Sequence, residues 1–403
     1  MSSTRLRKQT IPLVLIFLLF LSSILITPIS AEQNVFYDLS TKELSELSTF
    51  YENESNTIAS DIYDQAKECS AKYPFYSYTC SLRCHKAILQ KDINELVEIK
   101  GVDIAISNLT GKVQVHLEEV RGEISELRQS KMSFSCMEWI SLADDELKKS
   151  ETYFEASQNS YMEGNYNATL VYLTKADYLL YKTDNLLKIA KNRNNPSLRE
   201  NCSQMANEGE RVAFNWMNSA SNKIVLAESL KDKREDILVI ARDVLNKSQQ
   251  YCSEGDYYFA LMNAAEAKAL AEFAIDYEKY ENCEEALAQA EKCVEEAKKS
   301  MKGIYEDSDI DAPLAELYIE LAELHLEEAK NVKTVSAIPL ADISIQEALT
   351  AEEQLKAVLD LKNAIENPLE MSNEKYKWQY TVSIVAIAVI SLFILWFKRR
   401  RRM

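Results

Sequence analysis

The sequence predicts an all-α protein: a stack of antiparallel helical hairpins, α-solenoid-like, followed by one C-terminal transmembrane helix. The 403 residues include only 7 glycines and 7 prolines, so few positions favour a turn. Long tracts rich in Ala, Glu, Lys and Leu are typical of helices, and few windows alternate polar and apolar residues as a half-buried strand does. A turn motif that occurs twice, over residues 157–166 and 248–257, divides these tracts into hairpins.

Residues 1–31 have the pattern of a secretory signal peptide. Basic residues come first, then an apolar run from Ile11 to Ile26, and then Ala31 before Glu32. Because the apolar run is slightly long for a signal peptide, an uncleaved anchor is the alternative. Either form places the chain that follows outside the cytoplasm.

Three helices are predicted within residues 40–129, before the helix that leads into the first copy of the turn motif. The first runs from Ser40 to about Ser70 and ends before Pro74, because proline disfavours helix at the residue before it. The other two cover residues 79–99 and 102–129.

Five further helical stretches precede the acidic loop of residues 303–312. Helices are predicted over 133–163, 166–191, 197–229 and 231–252, and Tyr257 begins another. The local pattern leaves open whether that helix continues to Met301 or breaks near Asn282, and the 91-residue spacing of the turn motif favours a break. After the loop, Pro313 begins a helix with apolar residues at three–four spacing, and a last helix covers residues 341–366.

Residues 378–397 predict a transmembrane helix, because this stretch carries no charged side chain over a length that spans the hydrocarbon core. Residues 367–377 form a polar juxtamembrane linker, and residues 398–403 form a basic tail that should stay cytoplasmic. The residues expected at the membrane interfaces are Trp378, Tyr380, Trp396, Phe397, Lys398 and Arg399. The prediction is a single-pass cell-membrane protein, in contact with the lipid bilayer through this helix, whose bulk is extracytoplasmic.

The predicted extracytoplasmic region is strongly acidic. The whole chain has a net charge of −17, and the signal and tail that flank this region are both basic. Such a surface should not bind nucleic acid or anionic lipid headgroups. The simplest interpretation is a well-solvated surface, and a basic partner is the alternative.

Cysteines and glycosylation sequons fit an oxidising, extracytoplasmic environment. The disulfide candidates are Cys69, Cys80, Cys84, Cys136, Cys202, Cys252, Cys283 and Cys293. The glycosylation candidates are Asn53, Asn108, Asn167, Asn201 and Asn246. We expect bridges Cys202–Cys252 and Cys283–Cys293, with two more among the first four cysteines. The second named bridge requires a chain break near Asn282, because ten residues of unbroken helix span about 15 Å.

The two copies of the turn motif predict an internal repeat. Corresponding residues lie 91 positions apart, so that Gly164 matches Gly255. We therefore predict three helical units, over residues 32–131, 132–225 and 226–305, and a closing hairpin over residues 306–366.

The repeated turn resembles the tetratricopeptide repeat. The matching residues are Tyr251, Glu254, Gly255, Asp256, Tyr257, Ala260, Leu261 and Ala267, with a poorer copy at Glu163, Gly164, Asn165, Tyr166, Leu170 and Ala176. The period of 91 differs from the 34 of that family, and many helices here are longer. Because tetratricopeptide arrays commonly bind proteins, the resemblance implies protein–protein docking.

The layout is also similar to the helical, membrane-anchored C-terminal region of archaeal Lon-type serine proteases, which carry comparable Gly-Asp-Tyr hairpins before a final transmembrane helix. The protease domain itself is missing, and no serine lies in the Gly-rich motif of that family. The resemblance therefore implies no proteolytic activity here.

Few residue patterns indicate catalytic or metal chemistry. Cys80, Cys84 and His85 lie on one predicted helix and suggest a zinc site, but disulfides are favoured outside the cytoplasm. Within the acidic loop, residues 306–311 lack the central glycine and the distant glutamate of a calcium-binding EF-hand, so a solvated loop between helices is the favoured interpretation. Trp139 and Trp216 are expected to be core anchors.

From the sequence we expect no cofactor, no metal and no enzymatic activity. The leading hypothesis is a non-enzymatic, single-pass membrane protein that docks other membrane or envelope proteins through its extracytoplasmic helical repeats. The alternative is a ligand-sensing or solute-binding ectodomain that uses a cleft between helices.

Overall fold

A computed structural model describes residues 35–51, 58–194, 202–230, 234–276, 280, 282–307, 310–332 and 336–367. These residues form twelve α-helices and no β-strand, which confirms the all-α class. The helices are α1 (Val35–Tyr51), α2 (Ile58–Cys69), α3 (Pro74–Lys100), α4 (Val102–Gln129), α5 (Phe134–Met162), α6 (Tyr166–Arg193), α7 (Cys202–Ser229), α8 (Glu235–Ser253), α9 (Tyr257–Asp276), α10 (Cys283–Asp307), α11 (Pro313–Val332) and α12 (Ala337–Glu366).

The twelve helices pack as four three-helix modules, which we number 1 to 4: α1–α3, α4–α6, α7–α9 and α10–α12. In every module the second and third helices share the largest interface, the first helix packs on the third, and its contact with the second is smaller. Ion pairs show the directions: Lys223 of α7 reaches Glu272 of α9, and Arg242 of α8 reaches Glu228 of α7. The first helix thus runs parallel to the third and antiparallel to the second.

A serine hydroxyl joins the second and third helices in each module. In every case it donates to an alanine carbonyl across the interface, over 2.5–2.9 Å. The pairs are Ser77–Ala66, Ser150–Ala176, Ser248–Ala260 and Ser344–Ala322. A buried serine that satisfies its own hydroxyl and faces a small alanine lets two helices approach closely without an unpaired polar group.

The two copies of the turn motif have the same hydrogen bonds. Gly164 and Gly255 have positive φ angles of 74° and 80°, which end α5 and α8. Asn165 and Asp256 then cap the following helices by accepting from the backbone N–H groups of Ala168 and Phe259. The repeat predicted at these turns is therefore present at the level of individual hydrogen bonds.

The observed grouping differs from the predicted units by one helix. The predicted units begin at α5 and α8, whereas α4 packs with α5 and α6, and α7 packs with α8 and α9. The predicted closing hairpin is accordingly the second and third helices of a fourth module, which begins at α10. The turn motif marks only the joint between the second and third helices, so it does not indicate which neighbour completes the module.

Several helix boundaries also need correction, among them the start of α3, which is Pro74 instead of residue 79. The stretch predicted as one helix from Ser40 to Ser70 forms two helices, α1 and α2, which pack on each other and on α3. The last helix begins at Ala337, so Pro339 lies in its first turn, where its missing N–H has no helical partner to lose. The break expected near Asn282 is present, because α9 ends at Asp276 and α10 begins at Cys283.

The modules close on themselves, whereas an open solenoid has contacts only between successive repeats. The N-terminus of α3 in module 1 meets α11 of module 4. There the backbone N–H groups of Phe75 and Tyr76 donate to the Glu320 carboxylate at 2.8 and 3.2 Å, and Lys72 pairs with Glu327. A carboxylate at a helix N-terminus is stabilised by the free N–H groups and by the helix dipole.

Replacing either turn glycine by alanine should destabilise the protein by about 1–2 kcal/mol, because a Cβ disfavours the left-handed conformation. No atom lies within 4 Å of the Cβ position at Gly164 or Gly255, so the cost comes from the backbone alone and should be similar at both. Urea denaturation followed by circular dichroism measures it. The matched control is Gly122→Ala inside α4, which has equally open space and should gain about 0.5–1 kcal/mol.

Candidate functional site

All four modules meet at Glu138 of α5 and the adjacent Trp139, which is completely buried. Its ring lies 6.1 Å from that of Phe36 in module 1, in an edge-to-face arrangement. Its indole N–H donates to the Asp311 carboxylate of module 4 at 2.7 Å. The neighbouring Glu138 accepts a hydrogen bond from Tyr258 of module 3 at 3.2 Å. We call this group of residues the junction.

Glu138 is the centre of the polar part of the junction. Besides the Tyr258 hydroxyl, its carboxylate accepts from the backbone N–H of Asp311 at 3.0 Å and that of Ala312 at 3.4 Å. Ala312 has a positive φ of 44°, a conformation that costs an L-residue about 1–2 kcal/mol. The hydrogen bonds to Glu138 hold the chain in this conformation where it enters α11.

Arg193 is the cation of the junction, and it lies at the end of α6. Its guanidinium is 3.2 Å from the Asp311 carboxylate, which the indole of Trp139 also contacts. Tyr305 of α10 donates its hydroxyl to the Asp311 carbonyl and to Glu316, at 3.1 and 3.2 Å. Arg193 therefore acts on two buried carboxylates, those of Asp311 and Glu316.

Burial shifts the protonation of these carboxylates. The pKa of Glu138 is raised well above its usual value by desolvation and by the nearby Asp311 carboxylate. The pKa of Glu316 is also raised well above its usual value by desolvation and by Glu320. One oxygen of Glu316 is buried without a hydrogen-bond partner. The junction is enclosed and joins the modules. Its buried carboxyl groups keep their protons at a higher pH than exposed carboxyl groups do.

Sequence reasoning did not identify the junction. Asp311 belongs to the acidic loop that the sequence suggested was solvated, and instead it is buried against Trp139. The side chains of residues 306–309 lie outside the described residues, so the calcium interpretation is not tested on them. The available signal was Glu138 itself, an acidic residue between Met137 and Trp139 in an apolar run, which is typical of a buried carboxylate. Trp139 and Trp216 are core anchors, as predicted.

The histidine of the suggested zinc site packs on an aromatic ring. His85 stacks on Tyr181, with ring centroids 3.8 Å apart, and burial lowers its pKa. His116 and His325 pair with Asp184 and Glu347. Within the described part of the chain, no three His, Cys, Asp or Glu side chains are placed so that they could hold a metal ion.

The seven cysteines with described side chains are free thiols, so the predicted disulfides are not seen among them. The predicted Cys283–Cys293 bridge is wrong, because both residues lie on α10, where ten residues of helix separate them by about 15 Å. Burial raises the pKa of Cys69 and Cys84 to about 12, which leaves them poor nucleophiles. The side chain of Cys202 lies outside the described residues, so Cys202–Cys252 stays a prediction.

Three of the five sequons can be placed in the structure. Asn108 on α4, Asn167 in the first turn of α6 and Asn246 on α8 are all exposed, whereas Asn53 and Asn201 lie outside the described residues. The predicted signal peptide, the transmembrane helix at 378–397 and its six interface residues also lie outside them. Among the residues that are described, no helix is long and apolar enough to cross a membrane.

The outer face of α7 has an unusual composition for an acidic protein. Its exposed residues over 214–226 are all uncharged: Phe214, Asn215, Asn218, Ser221, Asn222, Val225 and Leu226. The Phe214 side chain is 58% exposed, and Val225 is 61% exposed. By contrast, 27% of all residues in the chain are charged. We call these seven residues the α7 face.

No protein-family model, no curated protein and no solved structure matches this chain.

Proposed function

We propose that the chain is a non-enzymatic, single-pass membrane protein whose extracytoplasmic helical domain docks other envelope proteins. The α7 face carries this proposal. The centre of a protein–protein interface is depleted of charged residues and enriched in aromatic residues, whereas a solvated surface of this acidic chain is charged. Phe214, Val225 and Leu226 supply apolar anchors, and the asparagine and serine residues between them supply hydrogen bonds.

The α7 face has the length of a helix-sized contact. From Phe214 to Leu226 the helix rises about 18 Å at 1.5 Å per residue. None of the five sequons lies on this face, whereas α4, α6 and α8 each carry one. A partner that offers an uncharged apolar surface would therefore meet no predicted glycan on the helix itself.

Ligand sensing is the second candidate, and one cavity favours it. It has a volume of about 250 Å³ and lies between modules 2, 3 and 4, lined by Met137, Ile140, Tyr258 and Leu361 among others. Ligand pockets usually measure about 300–1,000 Å³. This cavity is smaller. A larger cavity of about 540 Å³ lies between α10 and α12, but four charged side chains line it (Glu352, Lys356, Lys362 and Glu366), whereas ligand pockets are mostly apolar. Docking is therefore the better-supported function.

A photo-crosslinking amino acid at Asn218, in the centre of the α7 face, tests the docking function on the native membrane. We expect it to capture a defined envelope protein, and we expect Phe214→Asp to weaken that capture about tenfold, as the loss of an aromatic anchor does. The matched control places the crosslinker at Ile99, which is 78% exposed on α3. Capture of the same proteins from both positions, or capture unaffected by Phe214→Asp, would rule out docking through α7.

A further inference from the structure

The turn of module 3 docks on a helix of the neighbouring module. It lies against α5 of module 2, and three polar contacts hold it there: Tyr251–Asp145 at 3.1 Å, Asp256–Lys148 at 3.3 Å and Tyr258–Glu138 at 3.2 Å. Asp256 is buried in this contact. The turn motif is therefore a docking element as well as a bend in the chain.

The corresponding segment of module 1 docks in a similar way. Residues 72–76, between α2 and α3, lie against α11 of module 4, where Glu320 accepts from two backbone N–H groups of α3. Tyr73 is buried there. In both cases the joint between the second and third helices of one module binds the second helix of another module.

The turn of module 2 has the same backbone, but no described part of the chain covers it in this way. Its apolar residues are exposed: Tyr161 by 49%, Met162 by 76% and Tyr166 by 41%. The rings of Tyr161 and Tyr166 lie 5.8 Å apart and widen this apolar surface. We call these three residues, with Gly164 and Asn165, the free turn.

The second helix of module 3, α8, carries the matching surface. The turn of module 3 docks at Lys148 of α5. In the 91-residue repeat, Lys148 corresponds to Val239 of α8. Val239 and the adjacent Ile240 are 48% and 47% exposed. This exposed apolar pair therefore lies on α8 at the position where, on α5 of module 2, the turn of module 3 docks.

The two surfaces also match at the position of the observed ion pair. In the observed contact Lys148 pairs with Asp256. The equivalent residues are Val239 on α8 and Asn165 in the free turn, so both members of the ion pair are replaced by uncharged residues together. An unpaired lysine or aspartate at either position would carry a desolvation cost in a docked complex, and neither is present.

We propose that the chain associates with a second copy of itself head to tail, with the free turn of one copy docked on Val239 and Ile240 of the next. Within one copy both surfaces are exposed, so each is open to another molecule. The contact joins two different surfaces and is therefore heterologous. It goes beyond the proposed docking of other proteins, which uses the α7 face.

The proposal includes a condition on glycosylation. Asn167 is exposed directly after the free turn and corresponds to Tyr258, which is buried in the observed contact. A glycan there would occupy the interface. We therefore expect Asn167 to be unmodified in the native protein, and a glycan found on it by mass spectrometry would overturn the proposal.

Light scattering of the full-length protein in detergent, over a range of concentrations, tests the association. We expect the wild-type chain to form oligomers that grow with concentration, and Met162→Asp or Ile240→Asp to weaken association about tenfold or more. The control is Ile99→Asp, an exposed apolar residue outside both surfaces, which should associate like the wild-type protein. Thermal unfolding establishes that each variant is folded.

Mixing the two disruptive variants gives the sharpest outcome. The Met162→Asp copy keeps its α8 surface and the Ile240→Asp copy keeps its free turn, so the mixture should form dimers that do not grow further. A wild-type protein that stays monomeric, or a mixture of folded variants that stays monomeric, overturns the proposal. The Phe214→Asp variant should still self-associate, which separates this interface from the docking of other proteins.

Discussion

Trp139→Ala should lower the free energy of unfolding by about 3–5 kcal/mol, among the largest effects of any single substitution in this chain. The side chain is completely buried where all four modules meet. Its removal leaves a cavity at the closure of the ring of modules, and Asp311 loses the indole N–H that it accepts at 2.7 Å. Urea denaturation of the full-length protein in detergent, followed by circular dichroism, gives the value.

The control for this prediction is Phe214→Ala, which truncates an aromatic residue that is exposed on α7. It should change the stability by less than about 0.5 kcal/mol. A loss below about 1 kcal/mol for Trp139→Ala would contradict the central position that we assign to this residue. Trp139→Phe is informative as well, because it keeps most of the packing and removes only the hydrogen bond to Asp311.

The wild-type protein should become less stable as the pH rises from about 5 to 8, and Glu138→Gln should reduce this dependence. The folded-state pKa of Glu138 lies well above the value of 4.5 that an exposed glutamate has, so the folded protein binds a proton that the unfolded chain releases. The stabilisation is complete below pH 4.5 and is lost as the pH rises through the folded pKa. One such proton changes the free energy of unfolding by about 1.4 kcal/mol per pH unit.

Other buried groups also make the folded protein less stable as the pH rises. Burial raises the pKa of Glu43, Asp256, Glu316 and Glu347, and carboxylate partners raise the pKa of His116 and His325. Each binds its proton more tightly in the folded state. Lysines lower the pKa of Glu146 and Glu353, and these two act only at more acidic pH. Burial lowers the pKa of His85, so this group has the opposite sign and adds stability as the pH rises towards its usual value of 6.5. The Glu138→Gln variant should therefore retain a weaker slope of the same sign.

Chemical denaturation at several pH values measures how the free energy of unfolding changes with pH in the wild-type protein and in the Glu138→Gln variant. Glutamine keeps a carbonyl oxygen for the N–H groups of Asp311 and Ala312, so the variant should fold. The control is Glu155→Gln, which removes the same charge at an exposed position of α5 and should leave the slope unchanged. Equal slopes for the wild-type protein and Glu138→Gln would show that Glu138 does not bind the extra proton.

Local signals in the sequence predicted the helices well, because they act within a few residues. The helix from Val102 to Gln129 has the predicted bounds, and Ser133 caps α5 at the predicted position. The turn at Gly255 was also predicted, since glycine, a capping carboxylate and a following tyrosine all lie within three residues.

The junction depends on contacts that no local signal contains. Trp139 and Asp311 are far apart in the sequence, and their hydrogen bond exists only because modules 2 and 4 meet. The grouping of α7 with α8 and α9 is similar, because it depends on packing between α7 and α9, which are not consecutive in the sequence. Sequence periodicity shows that a helix has an apolar face, but it does not show which helix covers that face.

The position of α12 has a mechanical consequence. This helix is bonded along its length to module 3: Asp342 to Arg234, Glu353 to Lys268 and Asp360 to Trp216. The first and last of these contacts lie about 27 Å apart along the helix. If the chain beyond Glu366 leads to the predicted membrane anchor, tension on the anchor acts along the axis of α12. The three contacts then resist this force at the same time, because the force acts parallel to the helix that they hold. The domain therefore resists unfolding by the loss of one contact after another.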